Sequence, residues 1–177
     1  AKSAQDAVLW SSGAVVAPMG QIRNYLTAPG YGLIAGFSSD AKTLVLADRG
    51  SVGATGFDIA TGKVKWRGTF ADWGVKSPSY MACGDGMLVL TDSSGQVACI
   101  GAENGKIRWM NKLVGGSRAP VCPPRIARGV VMVQSNTYKM LTCFNATGGR
   151  VVWKWAGNSA AEGRVTDEGL ILVLVDG

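Results

Sequence analysis

Three tryptophans, Trp66, Trp109 and Trp153, stand 43 and 44 residues apart, and each closes the same kind of phrase. The phrases are "GFDIATGKVKW", "CIGAENGKIRW" and "CFNATGGRVVW". Self-similarity on a period of about 40–50 residues constrains a chain more than any local propensity does. Each unit is too small to bury its own apolar surface, so neighbouring units must stack to make a core.

The copies extend beyond those phrases. Residues 34–70 align with 77–113 without a gap, "TLVLAD" falling on "MLVLTD" and Asp40 on Cys83. A third copy, 120–157, takes one inserted residue. A fourth begins near Ala160 with "GRVTDEGLILVLVDG", and "DAVLW" at residues 6–10 reads as the tail of an earlier one.

Each copy reads as four strands, which in the second are 78–83, 87–91, 96–100 and 106–113. Turn-forming clusters separate them: Gly84-Asp85-Gly86, Ser93-Ser94-Gly95 and Glu103-Asn104-Gly105. "KVKWR" and "KIRWMN" alternate long polar and apolar side chains, the period of a strand with one wet face. No segment sustains a helical period. With 25 glycines and 17% charged residues, the chain suits short strands and tight turns and is too apolar for disorder. The expected fold is an all-β propeller of four-stranded antiparallel blades. Residues 1–177 would form one partial propeller domain of about three full blades plus partial ends.

The repeated phrase then has a physical reading. The turn between third and fourth strands needs positive φ, hence Gly62, Gly105 and Gly149. Thr61 or Asn104 just before it can bond the local backbone, which Gly148 cannot. The tryptophan four residues after each glycine is expected to lie flat between neighbouring blades, where its area is worth most. Asp58 is expected to brace its own turn.

The pattern small-x-Asp-x-x-Thr-Gly-x-x-x-Trp resembles the tryptophan-docking motif of the PQQ-type β-propeller repeat. Gly56, Asp58, Thr61, Gly62 and Trp66 match it nearly in full. The second copy keeps Gly105 and Trp109, with Gly101 and Asn104 in place of the Asp and Thr; the third keeps Gly149 and Trp153, with Asn145 and Gly148. The resemblance covers roughly 34–177 and is specific for the fold rather than for the function. It implies one of two branches. One comprises quinoprotein dehydrogenases, which hold PQQ and calcium in a central pocket. The other comprises non-catalytic lipoprotein accessories of the outer-membrane β-barrel assembly machinery.

The residue inventory favours the second branch. There is no histidine, so a Cys-x-x-Cys-His haem site and a histidine-dependent nucleophile are both excluded. No two cysteines are adjacent, as they are beside the cofactor in those dehydrogenases, and the twelve acidic residues are scattered. Calcium wants six to eight oxygen ligands, several of them carboxylates. No catalytic residue, metal ligand or cofactor is expected. Cys83, Cys99, Cys122 and Cys143 lack zinc spacing and are expected as free thiols; Cys99 and Cys143, at the repeat position of Gly56, are expected in the core.

Lys63, Lys65, Arg67, Lys106, Arg108, Lys112, Arg150 and Lys154 cluster on fourth strands. There they would keep the outer edges of blades from pairing with other chains. Without interleaved stacking aromatics on loops, the +6 net charge does not point to nucleic acid. Two connectors remain for partner binding, "TFADWGVKSP" and "VGGSRAPVCPPR". They offer Trp73, Arg118 and Arg125, residue types that dominate interface hot spots. For Trp73 a second reading stands beside this one, an indole that closes the gap between blades.

No apolar run reaches the ~18 residues of a membrane helix, and "AKSAQDAVLW" does not read as a signal peptide. The resemblance implies a binding scaffold at the periplasmic face of the outer membrane, lipid-anchored in the native protein, with a barrel-assembly protein as partner. The rival is a fragment of a PQQ-dependent dehydrogenase.

Overall fold

The computed structural model describes residues 33–48, 52–113, 120, 122–135, 140–157, 161–165 and 171–175. Three four-stranded antiparallel sheets follow one another along the chain, each a meander in sequence order. The first contains β1 (Leu33–Phe37), β2 (Thr43–Asp48), β3 (Gly53–Asp58) and β4 (Val64–Thr69). The second contains β5 (Pro78–Gly84), β6 (Met87–Asp92), β7 (Gln96–Gly101) and β8 (Ile107–Lys112). The third contains β9 (Arg125–Ala127), β10 (Val130–Ser135), β11 (Met140–Asn145) and β12 (Val151–Ala156). A hairpin of β13 (Ala161–Val165) and β14 (Ile171–Val175) follows, where the sequence places a fourth copy. These sheets are propeller blades, and no helix among the described residues is long and apolar enough to cross a membrane.

The strand pattern shows which faces of a blade are covered. In "MLVLTD" every residue of β6 is buried, although successive side chains point to opposite faces. Leu88 and Leu90 pack toward the first blade with Val45, Ala47 and Ala54, joined by Phe70, Trp73 and Val75 of the connector. Met87 and Val89 pack the other way, with Val131, Val133 and Phe144 of the third blade. A strand covered on both faces needs a continuous apolar run, whereas the outer strands β4 and β8 alternate exposed and covered residues.

The copies are not gap-free. Gly56 and Cys99 are 43 residues apart and take equivalent places opposite Trp66 and Trp109. Thr43 and Met87, which open β2 and β6, are 44 apart. The β2–β3 connection is therefore one residue longer in the first blade. The first hairpin differs as well: Phe37 pairs with Leu44, and Cys83 with Leu88. Asp40, aligned by sequence with Cys83, lies in the longer turn, where Ser38 Oγ donates to its carboxylate and holds it below the usual range. Loops absorb such insertions at little energetic cost, which is why a residue-by-residue alignment misses them.

One irregularity repeats. The ladder between third and fourth strands slips after Gly56, Cys99 and Cys143, leaving Lys65, Arg108 and Val152 as the extra residue of a bulge. All three are exposed. A bulge twists the outer strand and blunts its open edge.

Candidate functional site: the docking joints and the exposed surface

The three turns between third and fourth strands have one backbone. Gly62 N donates to Asp58 O at 2.8 Å, Gly105 N to Gly101 O at 2.9 Å and Gly149 N to Asn145 O at 2.8 Å. The glycines have φ of 68°, 69° and 72°, in the region that a side chain disfavours. What braces the turn differs among the blades. Asp58 Oδ1 accepts from Thr61 N at 2.9 Å and from Thr61 Oγ1 at 2.8 Å, and these bonds lower its pKa. Asn145 Oδ1 substitutes in the third blade, accepting from Thr147 N and Gly148 N. In the second, where Gly101 has no side chain, Asn104 Oδ1 accepts from Lys106 N at 2.9 Å. Asp58 thus serves its own turn, as its motif position suggested.

On the second and third of these turns the tryptophans of the preceding blades are seated. Trp66 lies against Gly105, where a Cβ would come within 2.6 Å of the indole, and its Nε1 donates to Ala102 O at 3.0 Å. Trp109 lies in the same way against Gly149, and its Nε1 donates to Ala146 O at 2.7 Å. The residue opposite each docking tryptophan must be small, because a Cβ at Gly56 would meet Trp66 at 2.3 Å. Cys99 and Cys143 hold the equivalent places opposite Trp109 and Trp153 and are fully buried. Trp153 is half-buried, packed with Trp155 against Met132 and Leu141.

Trp73 requires a correction to the partner-binding reading. Its side chain is 4% exposed, packs edge-on to Trp66 at 6.2 Å between ring centroids, and donates from Nε1 to Gly105 O at 3.1 Å. Room for it comes from Gly68, where a Cβ would sit 2.2 Å from the ring. At the next joint the corresponding residue, two after the docking tryptophan, is Asn111, whose Nδ2 donates to Gly149 O at 2.9 Å. The Gly68–Trp73 pair does together what Asn111 does alone. A glycine standing where the next copy has Asn, followed by an off-register tryptophan, was the available signal.

The other proposed contacts divide. Arg125 is exposed at the start of β9, while Arg118 lies outside the described residues, as does the "DAVLW" segment. Near Arg125 the connector is held down: Pro120 bridges to Ser135, and Cys122 Sγ lies 3.7 Å from Gln134 Oε1. All eight basic residues of the outer strands and their turns are exposed. Among the described residues no group of three or more His, Cys, Asp or Glu is placed to hold a metal.

The four cysteines are free. Cys99 pairs with Val89 and Val89 with Ala82, so Cys83 sits one residue out of step and faces the opposite side of its blade. Cys83 packs on the first blade and Cys99 toward the third. Burial pushes both thiols up to about 12, with Arg108 pulling the other way at Cys99, and raises Cys143 as well. Raised thiols are poor nucleophiles at neutral pH.

Comparison with known proteins agrees with this geometry. The family model described as outer membrane protein assembly factor BamB, built on PQQ-type repeats, matches residues 49–174. BamB from Moraxella catarrhalis superposes with a TM-score of 0.53 at 16% identity, over 75% of this chain and 40% of that one. The chain therefore spans about two fifths of that structure's chain. The computationally designed Ika4 protein gives 0.56 at 15% identity, over 81% of this chain and 89% of that one. The WD40 repeats of RRP9 give 0.56 at 14%, over 83% and 51%. No curated protein matches in sequence. At such identities the structural likenesses speak for the propeller fold, and the family rests on the sequence match: the chain belongs to the BamB family of PQQ-type β-propeller proteins.

Proposed function

We propose that this chain belongs to a non-catalytic binding propeller that assists the assembly and insertion of β-barrel proteins into the bacterial outer membrane. It would act from the periplasmic face, held by a lipid anchor on the native protein, without a cofactor. The observation that carries this reading is the family match over 49–174. The chemistry of the described surface supports it: the indoles of Trp66, Trp73 and Trp109 are spent on the joints between blades, and the outer strands expose the cations Lys65, Arg67, Arg108, Lys112 and Lys154 beside the apolar Val64, Ile107, Met110 and Val152. Such a surface attracts an acidic protein segment and sets the rate and specificity of encounter.

The contact residues in this reading are Arg125 and the connector's Arg118. Trp73, committed to a joint, is not among them. The test is a pull-down of the outer-membrane assembly machinery with the native protein and with Arg118→Glu and Arg125→Glu variants. Capture by the native protein, weakened by charge reversal at unchanged melting temperature, supports the reading. Undiminished capture by both folded variants moves the site elsewhere. No capture at all, together with PQQ-dependent dye reduction, would replace the scaffold with a dehydrogenase.

A further inference from the structure

The last turns of the three blades share a backbone, but only two of them fill one acceptor position from their own chain. In the first blade Asp58 Oδ1 accepts from the amide and the hydroxyl of Thr61. In the third, Asn145 Oδ1 accepts from the amides of Thr147 and Gly148. The second blade has Gly101 at that place. Its Asn104 Oδ1 accepts from Lys106 N, as Thr61 Oγ1 accepts from Lys63 N, so it stands in for Thr61 and not for Asp58. Asn104 N is left with a long bond of 3.4 Å to Gly101 O, and Glu103 N meets no acceptor among the described residues.

The bulge residues of the outer strands match this difference. Lys65 stands at the first bulge, Arg108 at the second and Val152 at the third. A cation thus accompanies the carboxylate of Asp58, whose pKa is lowered by Thr61 and, less strongly, by Lys65. An uncharged valine accompanies the uncharged Asn145. In the second blade the cation stands without its anion. Arg108 is exposed and pairs with no carboxylate among the described residues, and a Cβ at Gly101 would lie 3.3 Å from its Nε. The guanidinium faces the place from which a carboxylate would extend.

We propose that the last turn of the second blade is a carboxylate-binding site, completed by an acidic side chain of a protein partner that bonds the Glu103 and Asn104 amides and pairs with Arg108. The identity of the partner rests on the scaffold reading above; the site itself does not. Two amides and a guanidinium offer donors suited to a charged carboxylate rather than to a neutral amide. Lys106, also exposed, adds to the attraction. Glu103 opposes it, although its carboxylate is drawn toward Asn104 Nδ2, which donates to Oε1 at 3.3 Å. The turn lies at the other end of β8 from the connector that carries Arg118, so it is a separate contact.

The first test titrates the full chain with N-acetyl-aspartate amide and follows its backbone amides by NMR. Saturable shifts at Glu103 and Asn104, absent with N-acetyl-asparagine amide, support the site. Arg108→Leu should weaken binding about fivefold, the upper end for an exposed ion pair. Glu103→Gln should tighten it, and Gly101→Asp, which supplies the carboxylate within the chain, should abolish it. No saturation, an equal response to the neutral amide, or an equal response at Thr61 and Thr147 overturns the proposal. So does saturation by inorganic phosphate without saturation by aspartate, since the ligand is then a phosphate. The second test is capture of the outer-membrane assembly machinery. Weakened capture by folded Gly101→Asp supports the proposal, and undiminished capture overturns the partner's use of this turn. Should Gly101→Asp not fold, capture by Arg108→Leu decides in the same way. Saturation in the titration with no capture by the unsubstituted chain supports the site and removes the scaffold reading.

Discussion

The two docking joints use one motif and reach different degrees of closure. At the second, Trp109 is 7% exposed, tilts against Phe144 at 5.6 Å and has Asn111 beside it on its own strand. At the first, Trp66 is only half-buried although it has the same glycine and the same carbonyl acceptor. Its neighbour two residues on is Gly68, and the missing side chain is made good by Trp73 from the connector. The glycine and the acceptor fix where an indole sits. How deeply it is buried depends on residues outside the motif, including connector residues that no repeat position specifies.

The largest effects should come from the indoles. Trp109→Ala should cost about 3–5 kcal/mol, the range for a buried aromatic. Trp66→Ala should cost less, because part of that indole already meets water. Trp73→Ala should fall with Trp109 rather than with surface residues. Denaturant melts of the three variants give the order directly, and a Trp73 loss under about 1 kcal/mol, typical of surface sites, would return that residue to the rim.

Next come the receptor glycines. Gly149→Ala and Gly105→Ala each place a methyl group within 2.6 Å of an indole at positive φ. The conformational cost is roughly 1–2 kcal/mol, with about 1–3 kcal/mol more for overpacking. The second joint, being tighter, should suffer more, and thermal melts of the pair would show whether it does.

A smaller effect would sharpen the comparison most. Asn111→Ala removes a bond to Gly149 O and should cost about 1–2 kcal/mol. Gly68→Asn alone should damage the first joint, because Trp73 fills that space. Combined with Trp73→Ala, it should recover part of the loss by recreating the second joint's arrangement. A double-mutant cycle measures this coupling, and strict additivity would mean that the two clamps are unrelated.

The smallest effects are those of pH. With thiol pKa values raised in the fold, Cys83 and Cys99 contribute fully below the ordinary thiol range near ~8.5. That contribution is lost as pH rises toward about 12. Stability followed from neutral to alkaline pH should fall less in a Cys83→Ala, Cys99→Ala double variant. At the acid end, Asp58 has a lowered pKa, so its bracing is present above the ordinary carboxylate range near ~3.9 and is lost as pH falls through the lowered value. Asn145 does not titrate, so amide exchange in acid should rise at the first blade's turn before the third's.

The sequence by itself determined the period, the four-strand unit, the turns and the docking residues. These are local or nearest-neighbour properties. A left-handed turn demands glycine within a few residues, and a strand reveals its buried faces through its own alternation, as "MLVLTD" does. It also determined that Asp58 braces its own turn, because donor and acceptor are three residues apart. Only the tertiary structure decided the fate of Trp73. The residues that hold it are Gly68, Trp66 and Gly105, the last of these 32 positions away; Gly68 is the local trace of that environment, and the bond that fixes it is formed only across the joint. The same holds for the lengths of the β1–β2 and β2–β3 connections, which a gap-free alignment conceals. Loops tolerate insertion, while the strands between them must keep register or turn every apolar side chain to the wrong face.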